Sequence, residues 1–454
     1  MEDAALLPHL MNLISAAGPA IRDSRVRTKL EPLVLGTLCG DSPKTITSIL
    51  EFDAERGNRD NSLDDWSAFY RFFSQSSWEL EEFFGIVFSC AMSFCKEGDP
   101  VRILVGDTLL RKTGKRIPGA AYARDPLSPP FNTNLVWGQR MICISLLVRA
   151  SPTASYRAIP ICFLLKPPVR PPKNATDEER QEFKELKKKN NMSVAGRQML
   201  DWVRKRLDAM PGGSARRLFV AADGSFANRT FLEKPPHDTV IVARCRDDLN
   251  LRRPIDPDKK VGKRKYGGRL PTPRQINQDA AFPEKELATG VKHQKATVRY
   301  KAVDGIRWPT ALKDQPCGIL TVKGQYFNKG GKRQNTRPAY LIVTGDYDSA
   351  DMEDILETYL LRWEIEVGFR DRKNGLGIGK AQVWNKNSVA RVPGFMSACY
   401  SMLLMASMRA FGDERGEKFA HLPKWRSKTP NRPSLRDLVE LLRREVRSAI
   451  RTAA

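Results

Sequence analysis

Tyr359-Leu-Leu-Arg362-Trp363-Glu-Ile-Glu366-Val-Gly-Phe-Arg-Asp-Arg-Lys373 is the stretch from which the rest of the chain is best read. On an ideal helix, Tyr359, Arg362, Glu366 and Lys373 fall within an arc of roughly 60°. One face then offers a carboxylate flanked by two cations and a phenol. Such a face suits an acid that holds a metal while its neighbours grip phosphates. A solvated helix carrying local ion pairs is the alternative reading. Asp348 and Ser349 can cap this helix, and Asp351, Glu353 and Asp354 give it an acidic first turn, so it is predicted to run to about Lys373.

Two aspartates upstream end apolar runs. Asp107 follows Val101–Val105 and precedes Thr108-Leu-Leu-Arg111-Lys112-Thr113-Gly114-Lys115. Asp223 follows Leu218–Ala222 and precedes Gly-Ser225-Phe226-Ala-Asn228-Arg229-Thr-Phe231. Acidic residues often end strands at turns, so neither is informative alone. The separations to Asp223 and then to Glu366 are 116 and 143 residues.

Tyr-x2-Arg-x3-Glu-x6-Lys, with the two Asp blocks ahead of it, resembles the DDE transposases of bacterial insertion sequences. The likeness extends from about Trp66 to Phe411 and is densest at the three acidic blocks. Some relatives carry Asp-Asp at the first site, whereas this chain has Gly106-Asp107. The resemblance implies a ribonuclease-H-like α/β catalytic domain with Asp107, Asp223 and Glu366 as catalytic, metal-binding triad. It also implies two Mg2+ ions, replaceable by Mn2+, that cut and rejoin phosphodiesters at the element's ends and in target DNA. Hard oxygen ligands suit such ions, and two of them about 3.5–4 Å apart require the three acids to converge. A homodimer on double-stranded DNA with terminal inverted repeats is implied too. A catalytically decayed or repurposed transposase that only binds DNA is the second reading. Tyr359, Arg362, Lys373, Lys112 and Lys115 are candidate DNA contacts. Trp308 and Trp363 are candidates to stack on an unpaired base, with burial in a core as the alternative.

The surroundings fit a polyanion partner. Among 454 residues, 76 Lys+Arg against 52 Asp+Glu leave a net charge of +24. The length predicts about three domains or compact regions. Residues 1–96 read as helical and are assigned to DNA-end binding. Residues 97–238 and 346–385 read as the catalytic α/β domain, 239–345 as a β-rich insertion without helix, and 386–454 as a helical C-terminal region. Thr176 and Glu179 form a capping-box signal for a charged helix that breaks near Asn190. Gly57–Asn61 reads as a turn and Lys259–Arg274 as a basic loop.

The eight cysteines form no CxxC pair and the four histidines lie far apart, so free thiols in a reducing compartment are expected, without zinc. The resemblance implies a bacterial cytoplasmic, nucleoid-associated setting. No signal peptide is recognisable at the N-terminus. Val392–Met408 is uncharged for 17 residues, the lower limit for crossing a bilayer, but Pro393 and Gly394 within it favour a buried core helix. No membrane partner is expected.

Overall fold

The computed structural model describes residues 5–41, 43–55, 65–125, 128–129, 131–169, 171–172, 174–256, 265–289, 296–324, 326–329, 332–419, 422 and 430–453. The predicted turn Gly57–Asn61 and residues 259–264 of the predicted basic loop lie outside them. The chain divides into two compact units, each discontinuous in sequence. One comprises Met1–Lys96, Asp107–Asn190 and Glu364–Ala454; the other comprises Glu97–Gly106 and Asn191–Trp363.

The strands are β1 (Val101–Arg111), β2 (Ala120–Arg124), β3 (Leu135–Val148), β4 (Arg157–Leu165), β5 (Leu218–Ala222), β6 (Thr239–Arg244), β7 (Lys285–Thr289), β8 (Ala296–Arg307), β9 (Pro316–Val322), β10 (Tyr326–Lys329), β11 (Lys332–Asn335) and β12 (Ala339–Gly345). The first six residues of β1 belong to the second unit and the last five to the first.

In the first unit, β3 lies between β2 and the end of β1 and also pairs antiparallel with β4. Pro160 lies on β4 opposite Ser145, where the register slips, a place a residue without an N–H can occupy. Helix Lys386–Phe411 packs on β4 and on helices Leu6–Ala17, Leu30–Cys39, Trp66–Ser74 and Leu80–Met92. Phe395 on that long helix meets Phe72, Phe73, Trp78 and Phe83, and these rings fill the middle of the helical layer. The long helix is apolar enough to cross a bilayer by composition, yet 89% of its apolar window is buried: it is the core helix that was expected. The N-terminus of helix Leu6–Ala17 is closed by a distant acid. Glu445, on helix Leu435–Ala453, accepts hydrogen bonds from the N–H groups of Leu6 at 3.0 Å and Leu7 at 2.6 Å. A carboxylate there satisfies donors that the helix itself leaves open.

In the second unit the order is β1-β5-β6-β12-β9-β8-β7. β1, β5 and β6 run parallel, in register from Val101↔Leu218↔Thr239 to Val105↔Ala222↔Ala243. Every residue of β5 is buried, as a continuous apolar run in a parallel strand should be. β12, β9, β8 and β7 extend this sheet antiparallel, and helix Met352–Leu360 packs on β5 and β6. The architecture is mixed α/β, as expected for a ribonuclease-H-like domain with a β-rich addition.

Two expectations need correction. Residues 239–345 do contain a helix, Pro273–Gln278, opened by Thr272 with a capping box to Gln275. At six residues it is too short to show apolar periodicity, although Thr-Pro-x-Gln is itself a start signal. The helix read as continuous to Lys373 is instead broken. Met352–Leu360 ends with the Leu361 amide bonded to the Glu357 carbonyl and the Arg362 amide to the Tyr359 carbonyl, Trp363–Arg370 starts afresh, and Asp371–Gly375 widens into a π turn. The 60° arc built on one uninterrupted helix therefore does not apply.

Candidate active site

In the first unit, Asp107 lies on β1 with its carboxylate mostly covered. Its Oδ2 accepts a hydrogen bond from Arg140 Nε on β3 at 2.7 Å. The approach of β3 to β1 depends on Gly138, since a Cβ there would sit 2.5 Å from the Leu110 carbonyl oxygen. Lys112, just past β1, donates from Nζ to the Gly379 carbonyl at 2.8 Å, and burial pulls its pKa down. Lys115 is exposed in the following turn.

Glu366 sits on the short helix Trp363–Arg370, half-buried. Lys373, in the π turn, is close enough to both Glu366 and Asp107 for their charges to favour its protonated form. Burial, with Arg372 and Arg111 beside it, outweighs them and lowers its pKa. Glu366, Lys373 and Asp107 thus share one electrostatic neighbourhood.

What fixes that helix and turn is a set of residues the sequence did not single out. Arg372 is almost wholly buried and has no carboxylate among the groups it bonds. Its Nε donates to the Gly368 carbonyl at 3.0 Å and its Nη1 to Ser397 Oγ at 2.6 Å, while Nη2 lies 3.6 Å from Cys143 Sγ. The rings of Phe163, Phe369 and Tyr400 surround the guanidinium at 4.6–5.9 Å from their centroids. Glu364 is clamped by Arg432 at 2.8 Å, and Tyr400 donates to Asp371 at 3.2 Å. Only the adjacency of Arg372 to Lys373 hinted at these roles in the sequence.

In the second unit, Asp223 caps the turn Gly224–Phe226. Its Oδ1 accepts from the Ser225 amide at 2.7 Å and from Ser225 Oγ at 2.6 Å, and among the described residues Oδ2 has no hydrogen-bond donor. Asn228 holds this loop by donating to Ser193 Oγ at 2.7 Å and to the Ser225 carbonyl at 3.0 Å. The Tyr359 hydroxyl is raised in pKa, chiefly by burial. Arg362 and Arg244 oppose the rise, and the Asp223 charge adds to it. The Arg362 guanidinium lies 5.9 Å from the centre of the Tyr359 ring. Asp223, Arg244, Tyr359 and Arg362 therefore form the second unit's charged neighbourhood. Trp308 is only 8% exposed and belongs to the core, whereas Trp363 is 55% exposed.

Among the described residues, no three His, Cys, Asp or Glu side chains are gathered closely enough to hold a metal ion. Instead, Asp107 pairs with the Arg140 guanidinium and Asp223 with Ser225. The donor chemistry nonetheless suits a hard divalent cation, because all three are carboxylates and no thiol or imidazole stands among them. The eight cysteines are free thiols, as expected.

A family model described as DDE superfamily endonuclease matches residues 26–310, more than half of the chain. That stretch holds Asp107 and Asp223 and stops short of Glu366. No curated protein matches the sequence. Among solved structures, the chain is similar to the piggyBac transposase in a synaptic complex with hairpin DNA, at 11% identity and a TM-score of 0.33. The similarity covers 90% of this chain and about 60% of that longer one.

Proposed function

The chain belongs to the DDE superfamily endonucleases, and from that premise we propose that it is a transposase that cuts DNA at the ends of a bacterial insertion sequence and joins them to target DNA. Asp107, Asp223 and Glu366 are its metal-holding acids. The observation that carries this reading is Lys373, whose ammonium is favoured by the charges of both Glu366 and Asp107.

Bound divalent cations of the Mg2+ type, for which Mn2+ can stand in, supply charge neutralisation at the phosphate oxygens and acidify the attacking water. The chain's own groups do the rest. Ser225 fixes one Asp223 oxygen and leaves the other to a ligand. Arg140 holds Asp107 through Oδ2 and orients its carboxylate, which would be one of the cation's ligands. Lys373 and Lys112, each with a pKa lowered by burial, offer ammonium groups to phosphate oxygens, and Arg362 beside Tyr359 offers a flat donor fork. The substrate is double-stranded DNA with terminal inverted repeats, bound by a homodimer.

The test is cleavage of a supercoiled plasmid carrying the DNA that flanks the chain's own gene. Asp107→Asn, Asp223→Asn and Glu366→Gln should each lower cleavage by more than about a hundredfold while end binding stays near wild type. Wild-type cleavage in any of the three removes that residue from the triad. A wild-type protein that binds the ends but never cuts, with Mg2+ or Mn2+, is the decayed, DNA-binding transposase instead.

A further inference from the structure

In the second unit, residues 251–254 and 267–270 form a ribbon laid beside the end of β8. Arg253 N–H bonds to the Gly268 carbonyl and Leu270 N–H to the Leu251 carbonyl, both at 2.9 Å, so Arg252 and Arg269 face each other as a non-hydrogen-bonded pair. On its other side Arg252 exchanges both backbone bonds with Arg307, at 2.9 and 2.8 Å. Directly opposed residues in an antiparallel ribbon project from the same face, with Cα atoms about 4.5 Å apart in the first kind of pair and 5.5 Å in the second. Three arginines thus stand in one row about 10 Å long. Lys265 and Arg253 line the adjoining cleft together with Asn250, Tyr266 and Pro309.

Like charges placed directly opposite oppose folding, and among the described residues no ion pair to the three guanidinium groups offsets this, although Asp256 lines the same cleft. Among the described residues, Arg252, Arg253 and Arg269 have no carboxylate or hydrogen-bond partner for their guanidinium groups. Arg307 spends only one nitrogen, Nη1, on the carbonyls of Gly305 and Ile306.

We infer that the row Arg252–Arg269–Arg307 is a phosphate clamp for duplex DNA. A polyanion turns the mutual repulsion of the row into attraction and leaves bidentate donors for each phosphate. One strand of duplex presents a charge about every 3.4 Å of axis, so a 10 Å row meets about three phosphates. The inference rests on the proposed function for its partner and adds a location for the contact within the second unit.

The experiment is fluorescence anisotropy of the full chain with a labelled 30-base-pair duplex at 50–200 mM salt, beside a thermal melt of each variant. Each lost contact should make the slope of log affinity against log salt shallower by about 0.9, which alters the 50-to-200 mM affinity ratio about 3.5-fold. Arg252→Gln/Arg269→Gln/Arg307→Gln should lose nearly three such steps and melt no lower than wild type. The exposed single variant Arg269→Gln, which leaves the other two in place, should lose one. The charge-matched control Lys184→Gln/Lys187→Gln/Lys188→Gln, on helix Asp177–Lys189, should keep the wild-type slope. An unchanged slope in Arg269→Gln, or an equal loss in the control, overturns the clamp while the function stands. A wild-type chain that does not bind duplex at all overturns both.

Discussion

Asp413→Asn tests how the first unit is tied together. Arg157 on β4 is 4% exposed and Asp413 is 1% exposed. The guanidinium grips both carboxylate oxygens, Nε to Oδ2 at 2.7 Å and Nη2 to Oδ1 at 2.9 Å, and also donates to the Pro433 carbonyl at 2.7 Å. Burial pushes the Arg157 pKa down, and the Asp413 charge and hydrogen bonds lift it above the ordinary value. Asparagine keeps the backbone of a position at φ +60°, a region Asn tolerates, so the change is confined to the side chain. Its amide sets a donor against a donor, and Arg157 cannot shed its proton to escape. Removing one partner of a buried pair costs about 3–5 kcal/mol. At about 2–4 °C per kcal/mol, the thermal midpoint should fall by roughly 6–20 °C, read by calorimetry at a fixed scan rate and by urea titration. Arg157→Met/Asp413→Asn removes both charges and should cost less than Asp413→Asn alone. A loss below about 1 kcal/mol in the single variant, or a larger loss in the double one, would refute the argument that an uncompensated buried charge dominates.

Lys44 donates to the Gly40 carbonyl from a buried position, and burial, with Arg443 nearby, pulls its pKa to about 8. The unfolded chain holds that proton to about 10.4, so between these values the unfolded state binds more protons and stability should rise with pH. Lys44→Met should flatten that rise in urea midpoints taken from pH 8 to 10.5; parallel curves for the two proteins would sink the assignment. Gly138→Ala should lower stability by about 1–3 kcal/mol by pushing β3 off the Leu110 carbonyl. A denaturation midpoint equal to wild type would show that β3 can move aside freely.

Much of the α/β core was legible because it is buried on both faces. The apolar runs Val101–Val105 and Leu218–Ala222 stood out in the sequence, and both lie in parallel, paired strands. Thr176 and Glu179 announced their helix through a local, reciprocal hydrogen-bond pattern, and both bonds are made. Long-range effects were not legible. β7, Lys-Glu-Leu-Ala-Thr, is an outer strand whose mixed composition carries little apolar signal. The break at Leu361–Arg362 and the π turn after Arg370 accompany Arg372 burying itself against Ser397 and three rings from distant segments. Periodicity assigns an arginine to the surface and cannot anticipate that. At the candidate site, Asp223 was visible as the residue that ends a strand and Glu366 as a helix-borne acid, whereas Asp107, expected to end its strand, lies inside β1, which continues to Arg111. Arg140, Ser225 and Arg432, which hold Asp107, Asp223 and Glu364, appear only once the chain is folded. The arginine row was hidden for the same reason: Arg252, Arg269 and Arg307 become neighbours only through register.

The carboxylate of Glu445 that closes the helix starting at Leu6 has a consequence for biosynthesis. The two ends of this contact are 439 residues apart in sequence. At 5–20 residues per second, a ribosome needs about 20–90 s to make the second after the first. Throughout that interval the apolar face of Leu6, Leu10 and Leu13 has neither Glu445 nor the long helix Lys386–Phe411 to pack against. Nascent chains of this protein therefore carry an unfinished hydrophobic surface for most of their synthesis, while residues 191–363 of the second unit emerge and can close their own sheet first. The first unit is the earliest to begin and the last to be completed.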